Sequence, residues 1–507
     1  MKKFQNSLQE PDQFTLTYEL VPSRGGRADA HERALTLARD AAADDRLTAV
    51  SITENAGGHP VLSPEVLGIE IKKLGLDVII HLSCKDKNRN QMESQLFAWD
   101  REGLRNLLVI AGDYPQKGYR GHPKPVFDLD TIQALDLISR LNRDPKDRTA
   151  HPPTLKKYQP TAFYKGVALS PFKFLESELM MQYMKLMRKV ENGADYVITQ
   201  IGFDARKFHE LLLFMKQNHI HVPVLGNVFI PNMTVAKLMY KGMIPGCVIT
   251  DALYEEMWDE AQSADGGKKA RLKRASRLLT ILKGLGYAGA HIGGPGLTYK
   301  DIASVISEAD RSEKEWRDFI PKMSYWPEKR FYLYEKDNQT GLNRETPSKR
   351  SKPHSKQLSF LFARMMHTLL FSKNNPLFSP AKKTCLALEK TRLANGFAQY
   401  EHVVKFLLFS CRNCGDCVLS ELAFLCPQAG CAKYMLNGPC GGSRNGWCEV
   451  YPGRKPCFYV RVYERLKACH EETKLSSGLL PPRDWVLNQT SSWINFYKGI
   501  DHTNPKK

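Results

Sequence analysis

The chain lacks the long apolar runs that export and membrane insertion require. No stretch approaches about 18 uninterrupted apolar residues, so no membrane span is expected. Lys2 and Lys3 are not followed by an apolar run of about 7–15 residues, which argues against a signal peptide. These two absences predict a cytoplasmic protein.

Cysteine is scarce over most of the chain and concentrated in one short region. Of the 12 cysteines, only Cys84, Cys247, Cys385 and Cys469 lie outside residues 411–457. The other eight are Cys411, Cys414, Cys417, Cys426, Cys431, Cys440, Cys448 and Cys457. Because cytoplasmic thiols stay reduced, such a cluster indicates metal or iron–sulfur ligation and not a disulfide framework.

The cluster opens with the spacing C-x2-C-x2-C, which is typical of iron–sulfur ligation. Structural zinc is the alternative, because four-cysteine zinc sites need no redox function. Eight thiolates can hold two four-thiolate centres. One grouping is a first cysteine set (Cys411, Cys414, Cys417 and Cys426) and a second cysteine set (Cys431, Cys440, Cys448 and Cys457), although spacing allows interleaving equally well. Lys433 and Lys455 are candidates for offsetting thiolate charge.

Acidic residues are outnumbered by basic ones, 54 to 73, which gives a formal net charge of +19. One interpretation is a lysine-rich solvated surface. The other is steering of an acidic partner, such as a polyanionic cofactor, a polyglutamylated substrate or an acidic electron carrier. No basic motif interleaved with aromatic residues accompanies the charge, so nucleic acid is not an expected partner.

Eight short β-rich runs alternate with helical segments through the first part of the chain. The runs cover residues 14–23, 49–55, 77–86, 106–113, 163–170, 196–204, 222–232 and 288–294, and helical segments include 90–103, 174–191, 205–218 and 268–285. Most runs are apolar throughout their centres, as strands buried on both faces must be. Eight β/α repeats predict a closed parallel (β/α)8 barrel of the TIM type, with an open doubly wound sheet as the alternative.

With 507 residues, the chain is too long for a single core. We predict a barrel over residues 1–330, a basic polar linker over 331–357 and a small cysteine-rich α+β domain over 358–507. Residues 358–371 are apolar on most faces of a helix and are expected to be buried. An amphipathic helix near residues 458–471 is expected to brace the cysteine cluster.

Polar residues follow the predicted strands at the end where a barrel places its chemistry. They include Glu19, Thr53, His81, Asp113, Ser170, Gln200, Asn227 and His291. Glu19 lies in an apolar strand, where its pKa is expected to be raised so that it acts as a general acid; the alternative is an ion pair with Arg24. Asp113 either caps a turn or contacts a cofactor. His81 and His291 are more simply explained as satisfied polar residues than as metal ligands.

Six of these segments, in order, resemble motifs of the methylenetetrahydrofolate reductase family. They are TYELVPSRGG, SITENAGG, HLSCKDKNRNQ, LRNLLVIAGDYPQ, RKVENGADYVITQIGFD and PVLGNVFIP. The C-terminal segments CRNCGDC, CPQAGCAKYMLNGPCGG, GWCEVYPGRKPC and YERLK are similar to the cysteine-rich partner domain found beside such reductases in some bacteria and archaea. The chain therefore resembles a fusion of the two.

The resemblance implies a flavin-dependent barrel that reduces 5,10-methylenetetrahydrofolate to 5-methyltetrahydrofolate. Glu19 matches the general acid, Asp113 the aspartate beside the flavin ring and the pterin, and Gln200 the folate-contacting glutamine. The positions that match flavin contacts are Thr53, His81, Asp113, Ala168, Lys189 and Ala194. Ser170 and Gln182 depart from the family tyrosine and aspartate near the flavin tail, which leaves FAD and FMN both open.

The implied partners are a folate substrate and a source of electrons. NAD(P)H is one source; a protein donor such as a ferredoxin or a larger redox complex, entering through [4Fe-4S] clusters in the cysteine-rich domain, is another. Two alternatives remain: a pterin-dependent methyltransferase on the same barrel, which would bind no flavin, and a reductase whose zinc-bound C-terminal domain only docks it to a complex. A homo-oligomer is compatible with the sequence.

Overall fold

The computed structural model describes residues 3–143, 159–353 and 355–504. Eight parallel strands pair in sequence order and close into a barrel, with β1 next to β8. The strands are β1 Thr15–Leu20, β2 Ala49–Ile52, β3 Asp77–Ser83, β4 Asn106–Ile110, β5 Tyr164–Leu169, β6 Tyr196–Thr199, β7 Val224–Phe229 and β8 Gly289–Gly293. Each lies within one of the eight predicted runs, so the barrel is confirmed and the open sheet is excluded.

Helices surround the barrel and follow its strands. Those of the barrel region are α1 Lys3–Gln9, α2 Asp29–Asp44, α3 Pro64–Lys72, α4 Arg89–Arg101, α5 Thr131–Leu141, α6 Glu176–Glu191, α7 Ala205–Gln217, α8 Met233–Tyr240, α9 Asp251–Glu260, α10 Lys268–Leu285 and α11 Tyr299–Arg311. The four helical segments predicted from sequence correspond to α4, α6, α7 and α10. Within the described ranges, no helix is both long and apolar enough to cross a bilayer.

The interior of the barrel is packed with side chains at the N-terminal ends of its strands and lined by polar side chains at their C-terminal ends. Alternate residues of each strand point inward, and the lower layer includes Ala49, Ile79, Leu108, Tyr196 and Leu225, all buried. Helix α1 closes this end, because Phe4 packs edge-on against Tyr196 with ring centroids 5.2 Å apart. The N-terminal end of the barrel is therefore sealed, and only the opposite end, the mouth, is available for a ligand.

The C-terminal region contains a small sheet and six helices among its described residues. They are the antiparallel strands β9 Tyr334–Lys336 and β10 Asn343–Pro347 and the helices α12 Leu358–Phe371, α13 Phe378–Glu389, α14 Ala394–Phe409, α15 Pro427–Gly430, α16 Phe458–Lys467 and α17 Ser492–Lys498. The hairpin lies inside the predicted linker and is tied to α7, since Arg206 donates to Tyr334 O at 2.7 Å. The domain limits themselves stay predictions.

Residues 436–442, here called the cap turn, fasten the cysteine-rich region onto the barrel mouth. Asp130, which caps α5, accepts hydrogen bonds from the backbone N–H groups of Leu436 and Asn437 at 3.0 and 2.7 Å. From the barrel side, Lys173 donates to Gly441 O and Lys185 donates to Pro439 O at 2.8 Å. These charged groups are buried, so their hydrogen bonds to the cap turn offset a desolvation cost that would otherwise oppose docking.

A second attachment lies at the start of α6. The buried Glu176 carboxylate accepts from Lys467 Nζ at 2.6 Å and from Tyr463 OH at 2.8 Å, both on α16. It also accepts from the backbone and hydroxyl of Ser351. Burial alone would raise the pKa of Glu176, but these hydrogen bonds lower it below its ordinary value. Helix α16 thus braces the cysteine region against the barrel.

The expectation that residues 358–371 are buried is wrong. In α12 only Phe360 and Ala363 are buried. Leu358, Phe362 and Met365 are 83, 55 and 51% exposed. A helix of apolar composition is buried only where another part of the protein packs against it. Within the described residues, α12 is packed against on one side only.

Replacing Glu176 by Gln should destabilise the protein, because the buried Lys467 ammonium would lose its counter-charge. Removing one member of a buried pair costs about 3 kcal/mol or more. Since the pKa of Glu176 is lowered on folding, its contribution is present above its ordinary value of 4.5 and is lost as pH falls toward the folded pKa. Chemical denaturation at pH 7 and pH 4 measures both effects.

The matched control is Glu308→Gln, which removes an exposed i,i+3 pair with Arg311 and should cost at most about 0.5 kcal/mol. A Glu176→Gln variant as stable as that control at pH 7 would contradict the attachment.

Candidate active site

Most of the sequence-predicted site residues line the barrel mouth. By strand alternation Glu19, Thr53, His81, Ala168 and Gln200 all point inward. Asp113 follows β4 on the same rim, where its carboxylate accepts the Gly57 N–H at 2.7 Å. The structure thus brings together residues from six different strands.

Several buried polar atoms in this mouth have no partner among the described residues. They are Thr53 Oγ1, His81 Nε2, Ser170 Oγ and Asn227 Oδ1. An unpartnered polar group in a buried site costs free energy comparable to a lost hydrogen bond. Four such atoms facing one space fit a polar, planar ligand with donors and acceptors around its edge.

The prediction of a raised pKa for Glu19 is wrong. Burial does disfavour the charged carboxylate, but the interaction with His291, whose Nε2 lies 3.8 Å from Glu19 Oε2, outweighs it and lowers the pKa of Glu19. Arg24 is not the partner. His291 is itself held by Thr17 Oγ1, 2.7 Å from its Nδ1. Glu19 therefore stands as a carboxylate beside a histidine, whose Nε2 also lies 3.3 Å from Ser51 Oγ.

His81 has a different electrostatic role. Burial lowers the pKa of this imidazole to about 4, because the ring lies inside the barrel. At neutral pH it is therefore uncharged and offers one donor and one acceptor to a ligand.

The segment between α8 and α9 carries Cys247, on which the charges of Asp113 and Glu19 both act. Burial raises the pKa of the Cys247 thiol to about 12, and the two carboxylates act in the same direction. The neighbouring Gly246 lies against Gln200: a Cβ placed on this glycine would be 3.1 Å from Gln200 Nε2. The two carboxylates and the amide predicted to act on a folate thus converge.

Lys189 and Ala194 are placed differently from the other predicted flavin contacts. Ala194 precedes β6 and is buried at the sealed end of the barrel, so it does not reach the mouth. Lys189 is buried on α6, its ammonium donates to Ala168 O, and burial lowers its pKa. The α6 face that also carries Gln182, Lys185 and Arg188 is covered by the C-terminal region, since Arg188 Nε donates to Ser477 O at 2.9 Å.

The second cysteine set lies beside the mouth. The charges of Cys431 and Cys457 act on Cys440, and those of Cys431 and Cys448 act on Cys457, which supports the grouping of these four thiols. Burial raises the pKa of Cys457 to about 12, while backbone N–H groups directed at its sulfur lower it. Such N–H groups stabilise a thiolate once it is ligated.

Lys433 links this set to Asp113. Its ammonium donates to Gly112 O at 2.7 Å and pairs with Glu449, whose other neighbour is the Cys440 thiol at 3.4 Å. Burial alone would lower the pKa of Lys433, but Glu449, Cys440 and Asp113 together raise it above its ordinary value. A cation supplied by the cysteine-rich region therefore sits at the barrel rim.

The first cysteine set lines a separate cavity with Glu401 and Lys405 of α14. Lys405 Nζ lies 3.2 Å from Cys417 Sγ, and the Asn413 N–H donates to Cys411 Sγ at 3.3 Å. These contacts place positive charge and N–H dipoles around the thiols, as thiolate ligands require.

Within the described residues, Asp416, Asp501 and His502 form the one group of three or more metal-ligating atoms lying within 4.8 Å of one another. Thiolates are soft ligands, so each cysteine set suits either a zinc ion or an iron–sulfur cluster. All 12 cysteines are free thiols.

A cleft of about 360 Å³ opens between the barrel and the second cysteine set. Tyr240 and Lys241 line its barrel side, and Arg444 and Trp447 line its cysteine-domain side. Cys247, which lies near Glu19 and Asp113, is also in its wall. The cleft thus opens beside Gly246, which lies against Gln200.

Sequence reasoning missed the groups that depend on distant parts of the chain. From the sequence, Lys433 is a candidate only for offsetting thiolate charge, and Glu449, Lys173 and Trp447 carry no assignment. Lys433, Trp447 and Glu449 share one signal, their position within the cysteine-rich region, whereas Lys173 lies in the segment after β5 and has no such signal.

Two family models match the chain. One described as "Methylenetetrahydrofolate reductase" matches residues 3–281, more than half of the chain, and one described as "Methylene-tetrahydrofolate reductase C terminal" matches residues 391–486.

Curated relatives are similar over part of the barrel. "Methylenetetrahydrofolate reductase 1" of Schizosaccharomyces pombe is 23% identical over 188 residues, 35% of this chain and 27% of that protein. "5,10-methylenetetrahydrofolate reductase" of Salmonella typhimurium is 25% identical over 198 residues, 39% of this chain and 57% of that protein. The chain thus spans about a quarter to a little over half of these relatives' length.

Among solved structures, a Clostridium thermocellum protein described as binding two copies of 5-methyl-5,6,7,8-tetrahydrofolic acid aligns with a TM-score of 0.43 and 13% identity. The alignment covers 61% of this chain and 99% of that one.

Replacing His291 by Asn should raise the pKa of Glu19, because the hydrogen bond that lowers it would weaken while the burial that raises it remains. Infrared titration of the carboxyl stretch measures this pKa, with Glu19→Gln identifying the band. His81→Asn is the control, since the neutral His81 lowers the pKa of Glu19 less than His291 does. An unchanged Glu19 pKa in His291→Asn would contradict the assigned pair.

Proposed function

The chain belongs to the methylenetetrahydrofolate reductase family, and on that premise we propose that it reduces 5,10-methylenetetrahydrofolate to 5-methyltetrahydrofolate with a bound flavin. The observation that carries the proposal is the convergence of Glu19, Asp113 and Gln200 on one mouth that also holds four unpartnered buried polar atoms. A bound flavin supplies a hydride for the methylene carbon of the substrate.

The unpartnered groups of the mouth would hold the flavin. Thr53, His81 and Ser170 offer hydrogen bonds to the ring edge, and the small Ala168 leaves space for it. The neutral imidazole of His81 suits this role, because it can donate or accept without adding charge.

Asp113 and Gln200 would orient the pterin. One Asp113 oxygen is anchored by the Gly57 N–H, and Gln200 Oε1 accepts the Ile201 N–H at 2.9 Å. Each side chain is thereby fixed while keeping a polar atom for the substrate. Fixed groups of this kind lower the entropy cost of reaching a reactive geometry.

The Glu19–His291 pair would supply the proton that opens the methylene bridge. Glu19 is a carboxylate in the free protein, so it would first take up a proton from solvent and then pass that proton from Oε2 to the leaving nitrogen of the folate, while His291 holds the carboxylate in place. A general acid positioned in this way contributes about 10²–10⁴-fold to a rate.

The flavin is proposed to be FMN. The resemblance places Gln182 and Lys189 beside the flavin tail, but the α6 face that carries them lies under the C-terminal region. Lys185 on that face donates to Pro439 O at 2.8 Å and Arg188 to Ser477 O at 2.9 Å. An adenylate group would have to displace these contacts, whereas a single phosphate would not extend so far.

The two cysteine sets are proposed to hold [4Fe-4S] clusters that bring electrons to the flavin site. Cationic and N–H groups lie against the sulfurs of the first set, as they do around ligated thiolates. Lys433 joins the second set to the rim beside Asp113. The folate would enter through the cleft between Trp447 and Tyr240.

Glu19→Gln should bind FMN and let dithionite reduce it, yet slow flavin reoxidation by methylenetetrahydrofolate about 10³-fold, since amides do not donate the required proton. Anaerobic stopped-flow absorbance measures the reoxidation. The control is Glu10→Gln, an exposed glutamate that directly follows α1 at the sealed end of the barrel. Wild-type reoxidation by Glu19→Gln would remove Glu19 as the proton donor, and wild-type protein without flavin would favour the methyltransferase alternative.

Anaerobically purified protein should contain about eight iron and eight sulfide ions per chain, as two four-iron clusters require. Cys414→Ser and Cys448→Ser, one from each set, should each lose about half of the iron. Cys469→Ser, outside both sets, should lose none. Elemental analysis measures the iron and zinc content of each variant. Zinc in place of iron would indicate that the C-terminal region only docks the reductase to a partner complex.

A further inference from the structure

Helices α12 and α14 expose apolar side chains that the rest of the chain leaves uncovered. On α12, Leu358, Phe362 and Met365 recur at i, i+4 and i+7 and are more than half exposed. On α14, Tyr400 and Leu407 are 62 and 77% exposed. Contiguous exposed apolar side chains of this kind mark interaction sites.

The two sides of α14 differ in their exposure to solvent. Glu401 and Lys405, one turn apart, are buried and line the cavity of the first cysteine set. Val403 and Leu407, also one turn apart, project from the opposite side of the helix and are exposed. A molecule seated on the outer side would therefore lie one helix away from the first cysteine set.

The surface is strongly basic. Its exposed cations are Lys373, Lys382, Lys383, Lys390, Arg392 and Arg412. None of these six forms an ion pair with any residue in the described ranges. The acidic side chains of α13 and α14 are engaged, Glu389 with Lys498 and Glu401 with Lys405. The uncompensated charge selects an acidic partner and speeds its association.

Much of this surface lies outside both matched family segments. Residues 282–390, which include α12 and α13, fall between the segment ending at 281 and the one beginning at 391. Helices α12 and α13 of this face thus lie outside the matched segments, whereas α14 lies within the second one.

We propose that the surface formed by α12, α13 and α14 docks a small acidic electron-carrier protein, which reduces the centre held by the first cysteine set. The inference rests on the proposed function. Each docked carrier is oxidised by one electron and the centre is reduced by one. Two such transfers, with two protons from solvent, balance the conversion of one methylenetetrahydrofolate to one methyltetrahydrofolate.

A protein carrier fits these features better than a lipid surface or a second copy of the chain. The apolar side chains and cations adjoin the first cysteine set, where an electron must arrive and a lipid headgroup supplies none. A second copy of this chain would bring its own net charge of +19 against the same basic face, which opposes self-association.

The test uses the full chain and, as probe, a dithionite-reduced acidic two-cluster ferredoxin. Anaerobic stopped-flow absorbance follows flavin reduction at low and high salt. The apolar variant Val403→Ser/Leu407→Ser and the charge variant Lys382→Glu/Lys383→Glu should each lower the second-order rate about tenfold at low salt. The charge variant should also flatten the salt dependence. Flavin reduction by the small donor methyl viologen should stay at the wild-type rate in both.

The matched controls are Val66→Ser, also an exposed valine, and Lys314→Glu/Lys329→Glu, two exposed lysines of the barrel region. They should keep the wild-type ferredoxin rate. Wild-type rates in the surface variants would overturn the proposal. The proposal would also be overturned if the surface variants lost binding to anionic vesicles, or changed from dimer to monomer in light scattering, while keeping the wild-type ferredoxin rate.

Failure of the proposed function gives a different result. In that case viologen-reduced wild-type protein would not reduce methylenetetrahydrofolate, whatever its rate with ferredoxin.

Discussion

The structure depends on one contact, the seating of the cap turn on the barrel mouth. Asp130 receives the backbone N–H groups of Leu436 and Asn437, while Lys173 and Lys185 donate to carbonyl groups of the same turn. Charged groups buried in this way bind strongly when they are matched and are costly when they are not. The seating brings the second cysteine set to the mouth and supplies one wall of the cleft to the carboxylates.

The same contact changes what the barrel can bind. It covers the α6 face that the resemblance assigns to a flavin tail, and it introduces Lys433 beside Asp113. A mouth built by one domain thereby becomes a site shared by two. On the proposed function, electrons would reach this site from the cysteine sets and the folate would reach it through the cleft.

The barrel and the inward-facing polar residues could be predicted from sequence, because they depend on local periodicity. Each apolar run contains a strand. The alternation of side chains along the strands is enough to place Glu19, His81 and Gln200 on the inside of the barrel, toward the mouth. The pKa of Glu19 could not be predicted, since its controlling partner, His291, is on the last strand. Nor could the exposure of α12, because composition shows that a helix is apolar but not whether anything covers it. The place of Ala194 before β6 could not be predicted either, because a motif match does not show which end of a strand a residue occupies.

The most direct test of the account is anomalous diffraction at the iron edge from crystals grown anaerobically. We predict two iron peaks, one among Cys411, Cys414, Cys417 and Cys426 and one among Cys431, Cys440, Cys448 and Cys457, the second next to Lys433 at the barrel mouth. Zinc at these positions, or an iron peak remote from the mouth, would contradict the claim that the cysteine-rich region feeds electrons to the site it covers.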